Sequence, residues 1–403
     1  MKTNKNTVAL AMVFSLFFLW AISNNLLSPV VNKMMSLFNI DQGQAEFVET
    51  SYWFAYFLFP IPIAMFMKRY SYKAGIVLGL LISAVGGLLF IPVTSLYSFP
   101  LYLCAFFIVA IGMCFLETAA NPYVTELGDP ATAPRRLNLA QAFNGLGAFI
   151  AAMFLSKLIL IDDASAGTLP DAEIHNFKLT YAIFGIVLIL IALVISFTKL
   201  PRIEVEDNDK ENSKLISFHV LKRRHLRNGV IAQFFYNGGQ TAVNSLFIVY
   251  CVKYSGLSHE SATTLFGFYM LSFLIGRWVG AWLMGKFQPK NMLVVYGLAN
   301  VLLCAVICLS HGMTAIYAMM GISFFMSIMY PTQFSLALTD LKGETKSGSA
   351  FLVMAIVGNS VLPLLTAKFQ VSLTGNPSLA YIIPLICFAV CAWYGWRGHK
   401  VID

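Results

Sequence analysis

Charged residues are scarce in this sequence: Asp, Glu, Lys and Arg make up 11% of its 403 residues, whereas hydrophobic residues make up 58%. A soluble domain needs roughly twice that share of charge to cover its surface with groups that water solvates. The mean hydropathy of +0.73 points the same way. The composition therefore excludes a soluble protein and predicts an all-α polytopic membrane protein with no soluble domain of any size.

Motifs for metal binding, disulfide frameworks and nucleotide hydrolysis are missing as well. The seven cysteines form no CxxC pair and lie in or at the ends of apolar runs. No Gly-rich phosphate loop with its lysine is present, which excludes transport driven by ATP hydrolysis in this chain. No nucleophile and base form a recognisable set. We therefore predict that the protein is not an enzyme and has no resident cofactor or metal.

Long runs of apolar residues make up most of the sequence. A bilayer core about 30 Å thick is crossed by about 20 apolar residues in a helix. The first run is predicted to be a spanning helix rather than a signal peptide, because no small-residue cleavage site closes it. Twelve runs are predicted, at residues 8–28, 46–67, 74–94, 101–124, 138–160, 179–198, 229–253, 262–285, 291–310, 313–338, 347–369 and 379–396.

The basic residues indicate the orientation of these helices. The net charge is +8, and most of the 27 Lys and Arg residues fall in alternate hydrophilic segments, beginning with the N-terminus. This distribution predicts an even number of helices with both termini in the cytoplasm, and it argues against nucleic acid as a partner. The basic cluster at 222–227 is predicted to lie near lipid headgroups.

The longest hydrophilic segment, residues 200–228, divides the runs into six and six. We predict an N-terminal six-helix half at 1–199, a cytoplasmic loop at 200–228 and a C-terminal six-helix half at 229–403. The halves share a short sequence repeat: the small and basic residues at 64–73 recur in the same order at 281–290. Related halves of this kind are typical of secondary transporters.

Glu117 is the most informative polar residue within an apolar run. An ionised carboxylate at that depth costs at least a few kcal/mol, and burial favours the neutral form, which suits reversible protonation. The alternative is a hydrogen-bonded carboxyl group that holds helices together. Asn121 lies one turn further along the same face of the helix.

Two further runs carry stripes of amide side chains. Amides offer both donors and acceptors, as sugar hydroxyl groups require; the alternative is a set of amides that only joins helices. Gly238 and Gly239 are expected to loosen the second of these helices, as in transporters whose helices break at mid-membrane. The stripes are Asn138, Gln141 and Asn144 in the fifth run, and Gln233, Asn237, Gln240 and Asn244 in the seventh.

Four other polar positions are weaker candidates. Asn24 is predicted to line a cavity from the first run. Glu49 lies about one turn deeper than Glu46, which is expected near the headgroups; Glu49 either faces the cavity or has no functional role. Tyr330 is expected to stack on a sugar beside a helix break at Pro331. Arg277 is predicted to have a structural role, either snorkelling to the membrane surface or pairing within the protein.

The most distinctive motifs are LETAANPYVT at 116–125, RLNLAQAFN at 136–144 and SFFMSIMYPT at 323–332, with shorter ones at 59–62, 71–75 and 348–358. Together they resemble the fucose–proton symporter family of the major facilitator superfamily, over essentially the whole chain. The resemblance implies import of a hexose, a deoxyhexose such as L-fucose, or an amino sugar with a cation. It also implies that Glu117 binds the sugar and links it to protonation, and that Gln141 and Asn144 contact the sugar.

One position departs from the family pattern. Fucose symporters carry an Asp late in the first helix that acts as a principal proton carrier, and Ser28 occupies the corresponding place here. Ser28 cannot be ionised in this role. We therefore expect Glu117 to be the central coupling acid and Glu49 the second candidate. Sodium coupling and facilitated diffusion are the alternatives to proton symport.

These observations predict a monomeric sugar:cation symporter of the bacterial inner membrane, with twelve helices in two pseudo-symmetric halves and alternating access between them. The co-transported ion is expected to be a proton rather than sodium. An exporter of drugs or amphiphiles with the same fold is the first alternative, although its cavity would be more apolar. A non-transporting sugar sensor is the second, although the short termini leave no output domain. The predicted substrate-binding residues are Glu117, Gln141, Asn144, Asn121, Asn24, Asn237, Gln240 and Tyr330.

Overall fold

The computed structural model describes residues 2–25, 47–96, 98–151, 171–198, 200–201, 216–372 and 376–401. Within these ranges every regular element is helical. Short π-helices follow α8 at Tyr250–Tyr254 and α15 at Tyr394–Gly398. The α-helices are α1 (Lys2–Asn25), α2 (Phe47–Leu58), α3 (Pro60–Arg69), α4 (Tyr72–Leu96), α5 (Phe99–Glu126), α6 (Ala133–Ile150), α7 (Asp171–Phe197), α8 (Arg224–Val249), α9 (His259–Leu283), α10 (Pro289–Leu309), α11 (Met313–Met326), α12 (Met329–Ala337), α13 (Thr345–Met354), α14 (Gly358–Ser372) and α15 (Ile382–Trp393).

Eight helical runs in the described part of the chain are long and apolar enough to cross a bilayer. Joining α2 to α3, α11 to α12 and α13 to α14 gives the twelve spans that the sequence predicts. Helices α6 and α8 are less apolar because they carry the amide stripes, and α1 and α2 adjoin residues 26–46, which lie outside the described part. The all-helical architecture predicted from the sequence is confirmed.

The chain divides into two compact units. One comprises Met1–Tyr123 with Leu146–Ile216, and the other comprises Val124–Gly145 with Ser217–Asp403. The amide stripe of α6 thus belongs to the second unit, together with α8 to α15. The predicted domain boundaries at 1–199, 200–228 and 229–403 stay a prediction.

In the first unit, α4 packs against both α5 and α7 through small side chains. A Cβ atom on Gly112 would overlap the hydroxyl of Ser83 and the carbonyl oxygen of Gly79, so glycine is required there. The Ser83 hydroxyl donates to the carbonyl oxygen of Val109 at 3.1 Å. Lipid tails are as apolar as these helices, so close packing and such hydrogen bonds stabilise the contact more than the hydrophobic effect does.

In the second unit, α8 packs against α12, α14 and α15. Gly238 lies against Leu362 of α14, and Gly239 lies against Cys387 of α15, at distances that leave no room for a Cβ atom. Helix α8 is continuous from Arg224 to Val249. The expectation that these glycines loosen the helix is therefore wrong: they let neighbouring helices approach its backbone.

The tenth span breaks at Ser327, between α11 and α12. Pro331 causes the break, because proline has no N–H to donate to the carbonyl four residues earlier and its ring crowds that carbonyl. The hydroxyl of Tyr236 donates to the carbonyl oxygen of Met326 at 3.0 Å, which satisfies a backbone acceptor at the end of α11. The predicted break is confirmed, and it lies one turn before Pro331.

Candidate functional site

A buried arginine organises the polar residues of the second unit. Arg277 of α9 is 6% exposed. Its Nη1 donates to the backbone carbonyl of Gln141, to Oε1 of Gln141 at 3.2 Å and to Oδ1 of Asn144 at 2.8 Å. The two amides lie three residues apart on α6, so one guanidinium reaches both. Arg277 therefore fixes the orientation of two amides that the sequence predicts to bind sugar.

Neighbouring residues explain how α9 holds a charged side chain at this depth. The guanidinium carbon of Arg277 lies 4.5 Å from the centre of the Phe273 ring, one turn earlier on the same helix, which is a cation–π contact. Gly145 of α6 leaves space for the arginine, since a Cβ atom there would lie 3.2 Å from its Cδ. Tyr236 and Tyr330 are close enough to interact with it electrostatically.

The charge of Arg277 has no acidic counterpart in the described part of the chain. Its Nε also has no hydrogen-bond partner there. A buried cation that meets only neutral acceptors is costly, because oxygen dipoles replace only part of its lost hydration. The arrangement therefore favours a ligand that brings further oxygen atoms, as a polyhydroxylated molecule does.

The third amide of the α6 stripe serves a different purpose. Nδ2 of Asn138 donates to the carbonyl oxygen of Pro134 at 2.8 Å and to the hydroxyl of Thr332, on α12, at 3.0 Å. Asn138 thus joins two helices, which is the alternative considered for the whole stripe. The other two amides meet the guanidinium instead.

The amide stripe of α8 is partly engaged in hydrogen bonds within the protein. Nε2 of Gln233 donates to the carbonyl oxygen of Tyr330 at 3.0 Å, and Nδ2 of Asn237 donates to the carbonyl oxygen of Gln233 at 2.7 Å. Gln240 is half-buried and has no hydrogen-bond partner among the described residues. Of the predicted sugar ligands on α8, Gln240 therefore has the more available amide.

In the first unit, Glu117 lies on α5 in nearly dry surroundings. Glu117 is 3% exposed, and Asn121, one turn further on, is fully buried. Tyr56 and Cys114 are close enough to the carboxyl group to interact with it electrostatically. Hydroxyl, thiol and amide groups can exchange hydrogen bonds with either protonation state of a carboxyl group. These surroundings therefore suit a group that binds and releases a proton.

Three predicted positions lie outside the described part of the chain. They are the side chains of Asn24 in α1 and Glu49 in α2, and the whole of Ser28. Their roles stay predictions. Tyr330 is the second residue of α12, where it is 7% exposed and its ring centre lies 6.2 Å from that of Tyr236.

Arg277 is the residue whose partners the sequence does not reveal. It does not snorkel to a membrane surface, because it is 6% exposed and bonds inward to α6. The prediction of pairing within the protein is correct, yet the partners are the amides predicted to bind sugar. Whether Arg277 also acts in sugar binding depends on the predicted role of these two amides.

The sequence of this chain is similar to those of known sugar transporters. The sequence pattern of the Major Facilitator Superfamily matches residues 13–367. An L-fucose-proton symporter from Escherichia coli (strain K12) is 38% identical over 401 residues, which cover 95% of this chain and 91% of that protein. A glucose/galactose transporter from Brucella abortus biovar 1 is 32% identical over 97% of this chain and 94% of that protein.

Solved structures show the same relationship. The transporter FucP, in the outward conformation, superimposes with a TM-score of 0.88 at 37% identity, over 98% of this chain and 99% of that chain. The proton:xylose symporter XylE, at 12% identity and a TM-score of 0.77, shares the fold alone. The chain therefore belongs to the fucose–proton symporter family of the Major Facilitator Superfamily, a family of transporters built from twelve helices in two six-helix halves.

Proposed function

We propose that this chain imports a monosaccharide together with a cation, by alternating access across the bacterial inner membrane. The sugar is a hexose, a deoxyhexose such as L-fucose, or an amino sugar. The observation that carries the proposal is the contact of Arg277 with Gln141 and Asn144, in a chain 38% identical to an L-fucose-proton symporter.

The amides of α6 supply the chemistry of sugar recognition. Gln141 and Asn144 accept from Arg277 through their side-chain oxygens, which orients their NH₂ groups as donors for hydroxyl oxygens. A site built to hydrogen-bond a hydroxyl rejects an analogue that lacks it by roughly 10⁴-fold or more. Selectivity among sugars therefore depends on which hydroxyl groups these fixed amides meet.

Glu117 supplies the coupling chemistry. A sugar that binds more tightly to the protonated carrier draws a proton in with it, and the proton gradient then drives sugar accumulation. This thermodynamic link needs a carboxyl group that is neutral when loaded and is buried from the bulk solvent. Glu117 is such a group, at 3% exposure in the middle of α5.

The presence of Ser28 in place of the family's helix-1 acid affects which ion can be co-transported with the sugar. Proton symport through Glu117, with Glu49 as a second acid, accounts for coupling without that residue. Sodium symport would use the same carboxylates as ligands. We further propose that the carrier is a monomer surrounded by lipid, with no enzymatic activity and no resident cofactor or metal.

Vesicles that contain the purified protein are expected to accumulate a labelled sugar under an inward proton gradient, and not under an equal sodium gradient. The panel is L-fucose, D-glucose, D-galactose and N-acetylglucosamine, and protein-free vesicles are the control. Uptake that follows only the sodium gradient would overturn proton coupling and leave sugar transport standing. Failure of every sugar to enter under either gradient would contradict the proposed function.

Both termini are expected to lie in the cytoplasm, because most basic residues fall in segments on the side of the N-terminus. Reporter enzymes fused after Asp163 should be active outside the inner membrane, and those fused after Asp209 should be active inside. Both positions lie in hydrophilic segments outside the described residues. Reversed signals at these two positions would show that the helices run in the opposite direction.

A further inference from the structure

Basic side chains gather where three helices of the second unit end. We name this feature the basic rim. It comprises Lys286 just after α9, Lys290 in the first turn of α10, Arg397 in the π-helix that follows α15, and Lys400 beyond it. All four side chains are exposed. None of them belongs to the candidate sugar site.

Helix packing brings the four residues together. Gly395, in the π-helix, lies against Leu293 in the first turns of α10, and Lys286 precedes that helix by one short turn. His399 is close enough to Lys290 and Lys400 to interact with both: burial lowers its pKa, and the two positive charges lower it further. The start of α10 and the segment after α15 therefore share one region of positive potential.

Among the described residues, the basic rim has no acidic residue beside it; Asp403, three residues beyond Lys400, lies outside them. The sequence contains no Asp or Glu between Glu260 and Asp340, nor between Glu344 and Asp403. In the described part of the chain, none of the four rim residues forms a salt bridge. Exposed charges of one sign that the protein leaves unbalanced attract a counter-ion from the surroundings.

Two tryptophans place the basic rim at the level of the lipid headgroups. Nζ of Lys286 lies 4.3 Å from the centre of the Trp282 ring, and the guanidinium carbon of Arg397 lies 4.4 Å from that of Trp396. The two tryptophans are 57% and 60% exposed. Tryptophan prefers the boundary between membrane and water, so the cations stacked on these rings lie where phospholipid phosphates lie.

The beginning of α10 adds one backbone donor to the same region. The helix is 21 residues long and starts at Pro289, and Gln288 makes no side-chain capping hydrogen bond to its first turn. Pro289 has no N–H, and the N–H groups of Asn291 and Met292 donate to the carbonyl oxygen of Gln288, which leaves the N–H of Lys290. Together with the helix dipole this N–H favours an anion next to Lys290.

We propose that the basic rim binds the phosphate headgroup of an anionic glycerophospholipid. Lys286 and Lys290 contact the phosphate oxygens as point charges, Arg397 and Lys400 complete the positive surface, and the tryptophans lie against the glycerol and upper acyl region. The lipid offsets the repulsion among four like charges. It therefore holds the ends of α9, α10 and α15 together and stabilises the second unit.

The test is thermal unfolding of the purified full-length chain in a neutral detergent, with added phosphatidylglycerol or phosphatidylcholine. Phosphatidylglycerol in large excess should raise the unfolding midpoint of the wild type by about 3 °C or more over phosphatidylcholine. The triple variant Lys286→Gln/Lys290→Gln/Arg397→Gln should lose that difference. Its midpoint in phosphatidylcholine should equal that of the wild type or exceed it, which shows that the variant folds.

A matched control removes three exposed charges from the other basic cluster, as Lys222→Gln/Arg224→Gln/Arg227→Gln. This control should keep the full response to phosphatidylglycerol. Inorganic phosphate without lipid should leave every unfolding midpoint unchanged, because it lacks the glycerol and acyl groups that contact the two tryptophans. Equal responses from both triple variants would overturn the site in favour of general charge attraction. A response of the wild type to free phosphate would overturn the choice of lipid as the ligand.

Discussion

Replacing Glu117 with Gln is expected to abolish gradient-driven accumulation of sugar while exchange of sugar across the membrane continues. Gln has the shape of a protonated Glu and cannot release a proton, so the carrier stays in its loaded form. With one proton per sugar, a potential of 100 mV is worth about 2.3 kcal/mol, or roughly 50-fold accumulation. In the variant, the ratio of inside to outside sugar should fall to about 1.

The measurement is uptake of labelled sugar by vesicles with an imposed proton gradient, followed by counterflow without a gradient. Sugar-induced alkalinisation outside wild-type vesicles reports the proton directly and should vanish in Glu117→Gln. Glu260→Gln is the matched control, since it removes an exposed carboxylate from the first turn of α9 and should accumulate sugar normally. Normal accumulation by Glu117→Gln would show that this carboxyl group only holds helices together.

The same assay separates one coupling acid from two. Glu49→Gln should reduce accumulation if Glu49 replaces the acid that Ser28 has displaced. If Glu49→Gln accumulates sugar like the wild type, Glu117 carries the coupling alone. Sodium-driven uptake by the wild type, without alkalinisation, would make both carboxylates candidate sodium ligands.

The helical spans were predictable because each depends on about 20 neighbouring residues, whose hydropathy and proline content the sequence gives directly. Pro331 illustrates this: its missing N–H and its crowding of the carbonyl four residues earlier predict a break beside it, and the structure places that break at Ser327. The least apolar spans, α6 and α8, were still found, because amides interrupt their apolar runs without ending them.

Gly238 and Gly239 show where local reasoning stops. Glycine lowers helix stability in isolation, and on that ground α8 was expected to loosen. The structure places Leu362 and Cys387 against the two glycines, and the close packing of neighbouring helices keeps α8 continuous. Propensity and packing have opposite effects here, and the sequence shows only the first of them.

The partners of Arg277 were not predictable for the same reason. Arg277 is the single basic residue of the run 262–285, which suits snorkelling as well as pairing within the protein. Its partners, Gln141 and Asn144, lie more than 130 positions earlier in the chain. The available signal was the absence of any acid on α9 beyond Glu260, because a buried cation without an acid must find neutral acceptors, and the amide stripe of α6 offers them.

Arg277→Lys is expected to weaken sugar binding about 10- to 100-fold, although it keeps the positive charge. Nη1 alone contacts the side-chain oxygens of Gln141 and Asn144, and the guanidinium also stacks on Phe273. A lysine ammonium group lies one bond nearer the backbone and has no planar face for that stacking, so it does not reproduce these contacts. Hydrogen bonds to a charged group are worth about 1.5–3 kcal/mol, which gives this range of affinity. The measurement is equilibrium binding of labelled sugar, and Arg397→Lys, at an exposed position, should bind like the wild type.

A double-mutant cycle tests whether Arg277 acts by positioning the amides. Asn144→Ala alone should weaken binding by a similar factor, because the hydroxyl that it contacts loses its partner. If Arg277 acts through Asn144, the double variant should bind sugar no more weakly than the more affected single variant. Fully additive losses would show that the guanidinium acts independently of this amide. Unchanged affinity in both single variants would show that the α6 amides, like Asn138, only join helices; the sugar ligands would then have to be sought elsewhere, with Gln240 first.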